Sequence, residues 1–131
     1  MTYSQSELVF AHKLSLIGSP NEEARRKRWE EYNSSDHEYG PSRLSEEAFR
    51  EAESTAFITA FVLGRVKNYT YRTITDDDVS SFYSENTDLF TRAEGDLFAP
   101  EEVRDIIIKR LREREYRENV EAISLQYGDS Q

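Results

Sequence analysis

Apolar side chains recur at steps of three and four along residues 45–67, which is the spacing of one face of an α-helix. Between Ala56 and Leu63 nearly every side chain is apolar, so this stretch predicts a helix that the rest of the chain covers on several sides. The apolar run is roughly half the length that a helix needs to cross a bilayer. We therefore expect a central core helix and not a membrane anchor.

Capping signals predict two weaker helices before this core helix. Ser4 and Glu7 have the spacing of a capping box, and Ser19 followed by a proline has the pattern of a second helix start. These signals predict a helical pair over residues 4–32. Residues 33–43 are rich in Ser, Asn, Asp, Gly and Pro, a composition that predicts a loop.

Two further helices are expected after the core helix. Residues 68–74 alternate aromatic and β-branched side chains, but without a partner strand we expect an extended connector or a continuation of the helix. Thr75 caps the next helix, with Asp78 at its third position. Proline is favoured at the first helical position, so Pro100 predicts the start of a long last helix over residues 100–125.

These elements predict an all-α fold of about five helices packed around the central helix. The length of 131 residues suggests a single domain, residues 1–131, in which residues 44–125 form the main helical unit. Apolar residues make up 37% of the chain, which indicates a thin core, and 12% aromatic residues argue against disorder. The thin core also makes a homodimer plausible.

The charge balance limits the partners that the chain can bind. There are 26 acidic residues against 17 basic ones, a net charge of −9, so binding to a phosphate backbone is not expected. The basic run from Arg25 to Arg28 is flanked by glutamates at pairing distance, and we interpret it as a solvated helix face. The sequence does not decide whether these residues form a functional basic patch instead. A partner protein with a basic site would suit the acidic surface.

No cofactor or metal site is expected from the sequence. There is no cysteine, and neither His12 nor His37 has a second ligand at helical spacing, so we expect no zinc site. The acids at 76–78 lack the glycine and glutamate of a calcium-binding EF-hand loop, and the helix dipole explains them better. The N-terminus has no signal-peptide pattern, which predicts a cytoplasmic protein as written, or an extracytoplasmic one if a leader has been removed.

The segment over residues 74–90, ITDDDVSSFYSENTDLF, resembles the helical chaperone region of the SurA-type and PrsA-type foldases, which are associated with parvulin domains. Residues 103–123 resemble the long helix that follows in that region, so the resemblance covers residues 73–125. The parvulin domain with its paired histidines and the family's opening strand-like segment are missing from the sequence. The resemblance therefore implies a helical, chaperone-like module without prolyl isomerase activity.

The resemblance favours a non-enzymatic helical module that binds a protein or an unfolded peptide client. The side chains proposed to contact the peptide are aromatic or aliphatic, and each could instead be ordinary core: Phe57, Phe61, Phe82, Tyr83, Leu89 and Phe90. The alternative is an acidic inhibitor or immunity-type protein that masks a basic site on its partner. An enzyme is the least favoured hypothesis, because the many carboxylates form no recognisable catalytic constellation.

Overall fold

The computed structural model describes residues 1–35 and 43–128, with side chains described as far as residue 126. Within these ranges the protein is helical and contains no strand. The helices are α1 (Tyr3–Lys13), α2 (Glu22–Ser34), α3 (Glu46–Val62), α4 (Asp76–Glu85) and α5 (Pro100–Gly128), with a short 3-10 helix at Thr87–Phe90. The prediction of an all-α fold with a long C-terminal helix is confirmed.

The chain separates into two compact units. The first unit contains residues 1–69 and 116–131, and the second unit contains residues 70–115. Helix α5 supplies its first half to the second unit and its last turns to the first unit. The single-domain organisation expected from the chain length stays a prediction.

The first two helices begin at residues other than those predicted. Thr2 and Gln5 form the capping box of α1, so the box predicted for Ser4 and Glu7 is wrong. Glu7 is instead buried, because its carboxyl group is used inside the first unit. Helix α2 is capped by Asn21, whose side chain accepts a hydrogen bond from the third helical amide at 2.7 Å. Asparagine is as good a cap as the serine that the pattern suggested.

Helix α3 buries one face only. Phe49, Phe57 and Phe61 are buried, whereas Ala56 and Leu63 are exposed. The prediction that this helix is covered on several sides is therefore wrong. The three phenylalanines are separated by eight and four residues and so share one helix face, and the alanines and threonines between them are small enough to face water at little cost. The helix ends at Val62, five residues earlier than predicted, where the next glycine has a φ of +73°.

Four aromatic rings form the centre of the first unit. The ring of Phe10 lies 5.9 Å from that of Phe61 and 5.4 Å from that of Tyr116, measured between centroids. Tyr69 lies 5.0 Å from Phe61 in an edge-on arrangement. Aromatic pairs at such distances contribute about 0.5–1.5 kcal/mol each beyond the burial of their area. This cluster joins α1, α3 and the last turns of α5.

The basic run of α2 is only partly the solvated face that the sequence suggested, because Arg26 and Lys27 are exposed but Arg25 is buried. Arg25 is only 3% exposed; it lies 3.4 Å from Glu53 of α3 and donates a hydrogen bond to Ser4. Arg28 donates two hydrogen bonds to Glu53, at 2.6 and 3.0 Å. The partners of these two cations therefore lie on the neighbouring helix and not on flanking glutamates. Trp29 is partly buried and donates its indole N–H to a backbone carbonyl at 2.8 Å.

The second unit begins with the predicted connector and cap. Residues 68–74 form no helix and no strand, as expected for an extended connector. The capping box of α4 is present: Thr75 accepts from the amide of Asp78 at 3.1 Å, and the carboxylate of Asp78 accepts from the amide of Thr75 at 2.8 Å. The hydrogen bond that the carboxylate accepts from the amide of Thr75 lowers the pKa of Asp78, and the side chain of Thr75 lowers it further.

The predicted loop, the metal ligands and the membrane spans can be compared with the structure only over the described residues. His37 and most of the predicted loop lie outside the described residues, and the loop starts later than predicted because α2 continues to Ser34. Among residues 1–35 and 43–128, no three His, Asp or Glu side chains are grouped as metal ligands. Over the same ranges, every helix is too short or too polar to span a bilayer.

Candidate functional site

The second unit carries an apolar groove of about 360 Å³. Its floor is made by buried Phe90 and Val103, and its walls include the exposed side chains of Leu89, Phe98 and Ile106. Two polar side chains complete the lining, and these are Glu102 and Arg110. We call this feature the groove throughout. It is a candidate functional site because soluble proteins seldom leave such apolar side chains together in water.

The floor of the groove is part of the core of the second unit. Phe90 packs 6.3 Å from Phe82 and stacks on Tyr83, with 5.4 Å between ring centroids and 8° between the ring planes. Val103 and Ile107 of α5 belong to the same buried cluster. The 3-10 helix before α5 explains why Phe90 points inwards while its neighbour in the chain points outwards. The groove therefore has a rigid base and an exposed upper rim.

The segment between the 3-10 helix and α5 folds back to form one wall. Its two ends meet at an isolated antiparallel bridge between Thr91 and Leu97. The amide of Phe98 donates to the carbonyl of Phe90 at 2.8 Å, and the hydroxyl of Tyr83 donates to the carbonyl of Phe98 at 2.5 Å. Gly95 permits the reversal because its φ is +93°. These bonds hold Phe98 at the edge of the groove.

An arginine and a glutamate fix the end of this wall. The guanidinium of Arg92 lies over the ring of Phe98, 4.4 Å from its centroid, and 3.3 Å from the carboxylate of Glu102. Glu102 also accepts a hydrogen bond from the amide of Ala99 at 2.8 Å, which caps the start of α5. One face of Phe98 is thus covered by Arg92, and the rest of its side chain remains available from the groove.

The rim of the groove is acidic. Residues 85–105 include seven acidic side chains and two arginines, which gives this segment a net charge of −5. Asp88, Glu101 and Asp105 are each exposed and each adjacent in sequence to a groove residue. In the described part of the chain none of these three forms an ion pair. Three exposed carboxylates next to groove residues in the sequence thus have no ionic partner among the described residues, whereas Glu102 of the lining is paired with Arg92 and Arg110 with Glu113.

The six side chains predicted to bind peptide do not form one surface. Phe57 and Phe61 are buried in the first unit, and Phe82 is buried in the core of the second unit. Tyr83 supports the floor of the groove from behind. Of the six, Leu89 and Phe90 line the groove, and Leu89 is 64% exposed. Their binding of a peptide stays a prediction.

Sequence reasoning missed five of the seven residues that line the groove, among them the exposed apolar side chains of Phe98 and Ile106. A signal for Ile106 exists, because three consecutive isoleucines on a helix cannot all face the same core. Ile107 is the member of this run that is fully buried, and Ile106 is 52% exposed. For Phe98 the sequence offers no comparable signal, since its position depends on the folded-back loop.

The most buried carboxyl groups among the described residues, Glu7 and Glu115, are not part of the groove lining. Glu7, 4% exposed, accepts hydrogen bonds from the hydroxyls of Tyr116 and Ser54, both at 2.7 Å. Burial raises the pKa of Tyr116 far above its ordinary value of 10.0, and the neighbouring Glu7 raises it further. In the second unit, Glu115 accepts from the amide of Arg72 at 2.9 Å and from the side chain of Arg112 at 2.6 Å.

Solved structures share this fold. The chain superposes on two crystal structures of a GH136 lacto-N-biosidase from Eubacterium ramulus, with TM-scores of 0.76 for the selenomethionine derivative and 0.75 for the native protein. Sequence identity is 22% in both cases, and the match covers 95% and 94% of this chain. The chain spans 27% of the enzyme's length. The sequence matches no protein-family model and no curated protein.

This likeness corrects the family resemblance and the functional hypotheses drawn from the sequence. The resemblance to SurA-type and PrsA-type foldases over residues 73–125 is wrong, because the solved structures that share the fold are GH136 lacto-N-biosidases and match nearly the whole chain. The non-enzymatic, chaperone-like module is contradicted by the same finding, and the acidic inhibitor is unsupported by it. The prediction that the chain has no enzymatic role is likewise contradicted, since the matching structures are glycoside hydrolases. At 22% identity the likeness establishes the fold.

Proposed function

We propose that this chain is the helical region of a glycoside hydrolase of the GH136 lacto-N-biosidase type. It acts in the hydrolysis of a lacto-N-bioside together with a catalytic region that lies outside these 131 residues. The observation that carries the proposal is the fold match, which covers 95% of this chain but 27% of the enzyme. A shared fold along almost the whole chain is what a region of the same enzyme type would show.

The buried carboxyl groups of this chain are consistent with a supporting role for the helical region and a catalytic role for the other region. Glycoside hydrolysis commonly uses two carboxyl groups on either side of the bond that is cleaved, about 5–5.5 Å apart in retaining enzymes and about 6.5–9.5 Å apart in inverting ones. Such groups must reach the sugar from an open site. Glu7 and Glu115 are buried and engaged by hydroxyl, amide and guanidinium donors, so we assign them to holding the helices.

A chimera tests the proposal. The region of the Eubacterium ramulus enzyme that matches this chain is replaced by this chain, and hydrolysis of a chromogenic aryl lacto-N-bioside is measured. We expect the chimera to hydrolyse the substrate and this chain alone to be inactive. The matched control is the same enzyme with the region deleted, which should be inactive because its catalytic region lacks helical support.

Two results would contradict the proposal. One is a chimera that is folded by circular dichroism but hydrolyses the substrate no faster than the deletion control. The other is full activity of the deletion control, since the helical region would then contribute nothing to hydrolysis. Helical content of the chimera, compared with that of the intact enzyme, establishes whether the replaced region has folded.

A further inference from the structure

We propose that the groove is the surface on which the catalytic region of this enzyme type docks, through apolar side chains flanked by lysine or arginine. This inference rests on the proposed function and adds to it the place and the chemistry of the contact. Three features of the groove carry it: its exposed apolar walls, its rigid floor, and its unneutralised acidic rim.

The apolar walls are exposed although the second unit has a buried core next to them. Leu89 and Ile106 are more than half exposed and line the groove together with the buried side chains of Phe90 and Val103. A floor that is already fixed by Tyr83 and by the stacked ring of Phe90 does not have to be ordered when a partner binds. Exposed apolar walls over such a base are typical of a protein contact.

The acidic rim defines the chemistry of the occupant. Asp88, Glu101 and Asp105 place negative charge beside the apolar walls, and no ion pair within the described residues offsets it. A partner surface with apolar side chains at its centre and lysines or arginines around them would match both features. Complementary charges steer the two surfaces together and disfavour partners of the wrong sign.

The same charge argues against a second copy of this chain as the occupant. Each chain carries a net charge of −9, and a symmetric contact through the groove would bring two acidic rims together. The chain also covers only 27% of the enzyme whose fold it shares, so a large region remains that could supply the partner surface. The occupant that fits is therefore the catalytic region.

Cysteine labelling tests the contact directly, because the chain has no cysteine of its own. Leu89→Cys and Ile106→Cys are made separately, in the isolated chain and in the full-length chimera, and the rate of alkylation by a maleimide is followed by mass spectrometry of the labelled peptide. The matched control is Leu63→Cys, which replaces a side chain of similar exposure (56%) in the first unit.

We expect both groove cysteines to react at least about tenfold more slowly in the chimera than in the isolated chain, because a docked partner restricts access to the thiol. The control should change by less than about twofold. Replacing Asp88 and Asp105 together with asparagine, or raising the salt concentration, should restore part of the reactivity in the chimera, because both weaken the attraction between the surfaces.

The outcomes separate this inference from the proposed function. A chimera that hydrolyses the substrate but leaves both groove cysteines as reactive as in the isolated chain overturns the inference and leaves the proposed function standing. Protection of the groove in a chimera without hydrolysis supports the contact and overturns the role in hydrolysis. A chimera that shows neither protection of the groove cysteines nor hydrolysis of the substrate overturns both the inference and the proposed function. Equal protection of the control overturns the assignment of the contact to the groove.

Discussion

Replacing Tyr116 with phenylalanine removes one hydrogen bond from the most buried carboxyl group of the first unit. The hydroxyl of Tyr116 donates to Glu7 at 2.7 Å, and both residues are shielded from water. The substitution keeps the ring and its contacts in the aromatic cluster, so the packing term changes little. The carboxyl oxygen retains the hydrogen bond from Ser54, also at 2.7 Å, but water cannot replace the lost donor.

The expected loss of stability follows from this partial loss of hydrogen bonding. A buried acceptor deprived of a partner costs about 1–3 kcal/mol. We therefore expect Tyr116→Phe to lower the free energy of unfolding of the first unit by about 2 kcal/mol. The double variant with Ser54→Ala should lose more than the sum of the single variants, because it strips the carboxyl group of both described donors.

Urea unfolding followed by tryptophan fluorescence measures this loss. Trp29 is the single tryptophan and lies in the first unit, so its emission reports on that unit. Tyr3→Phe is the control, because the hydroxyl of Tyr3 makes no hydrogen bond within the described residues. A loss below about 0.5 kcal/mol for Tyr116→Phe, the size of an ordinary surface substitution, would refute the reasoning.

Three further predictions use the same unfolding measurements. Above pH 10 the unfolded chain loses the hydroxyl proton of Tyr116 while the folded protein keeps it, because the pKa of Tyr116 is raised in the folded state. The resulting stability is complete below pH 10, and the free energy of unfolding falls by about 1.4 kcal/mol per pH unit above it. Tyr116→Phe should flatten this dependence on pH, and an unchanged slope would contradict the prediction. Glu53→Ala leaves the buried Arg25 without its ionic partner and should destabilise the first unit by about 3–5 kcal/mol; a loss under about 1 kcal/mol would be inconsistent with the ion pair. Thr75→Ala removes the side-chain oxygen that caps α4 and should cost the second unit about 1 kcal/mol, measured by circular dichroism; a loss below about 0.5 kcal/mol would argue against this.

Local signals in the sequence predicted what depends on a few neighbouring residues. The capping box of Thr75 and Asp78 was predicted and is present, because both partners lie within one helical turn. Pro100 was predicted to open the last helix and does so. In each case the start of the helix depends on its first amide groups, which have no partner within the helix. The residues that fit this position are close to it in the sequence.

Features that depend on distant residues could not be read from the sequence. Two overlapping capping patterns compete at the N-terminus, and the one that includes Glu7 loses because this side chain pairs with Tyr116, 109 positions later in the chain. The groove has the same difficulty. Leu89 and Phe90 are neighbours of similar hydrophobicity, and only the packing of Phe90 on Tyr83 determines which of the two is left exposed.

The division of the chain into units has a consequence for its synthesis. Residues 70–115 are contiguous, so the second unit emerges from the ribosome as one uninterrupted segment, whereas the first unit must wait for the turns of α5 after residue 115. Until then Glu7 and the ring of Phe10 lack the tyrosine that covers them in the native state. The N-terminal helices therefore cannot complete their core until the turns of α5 after residue 115 have been synthesised.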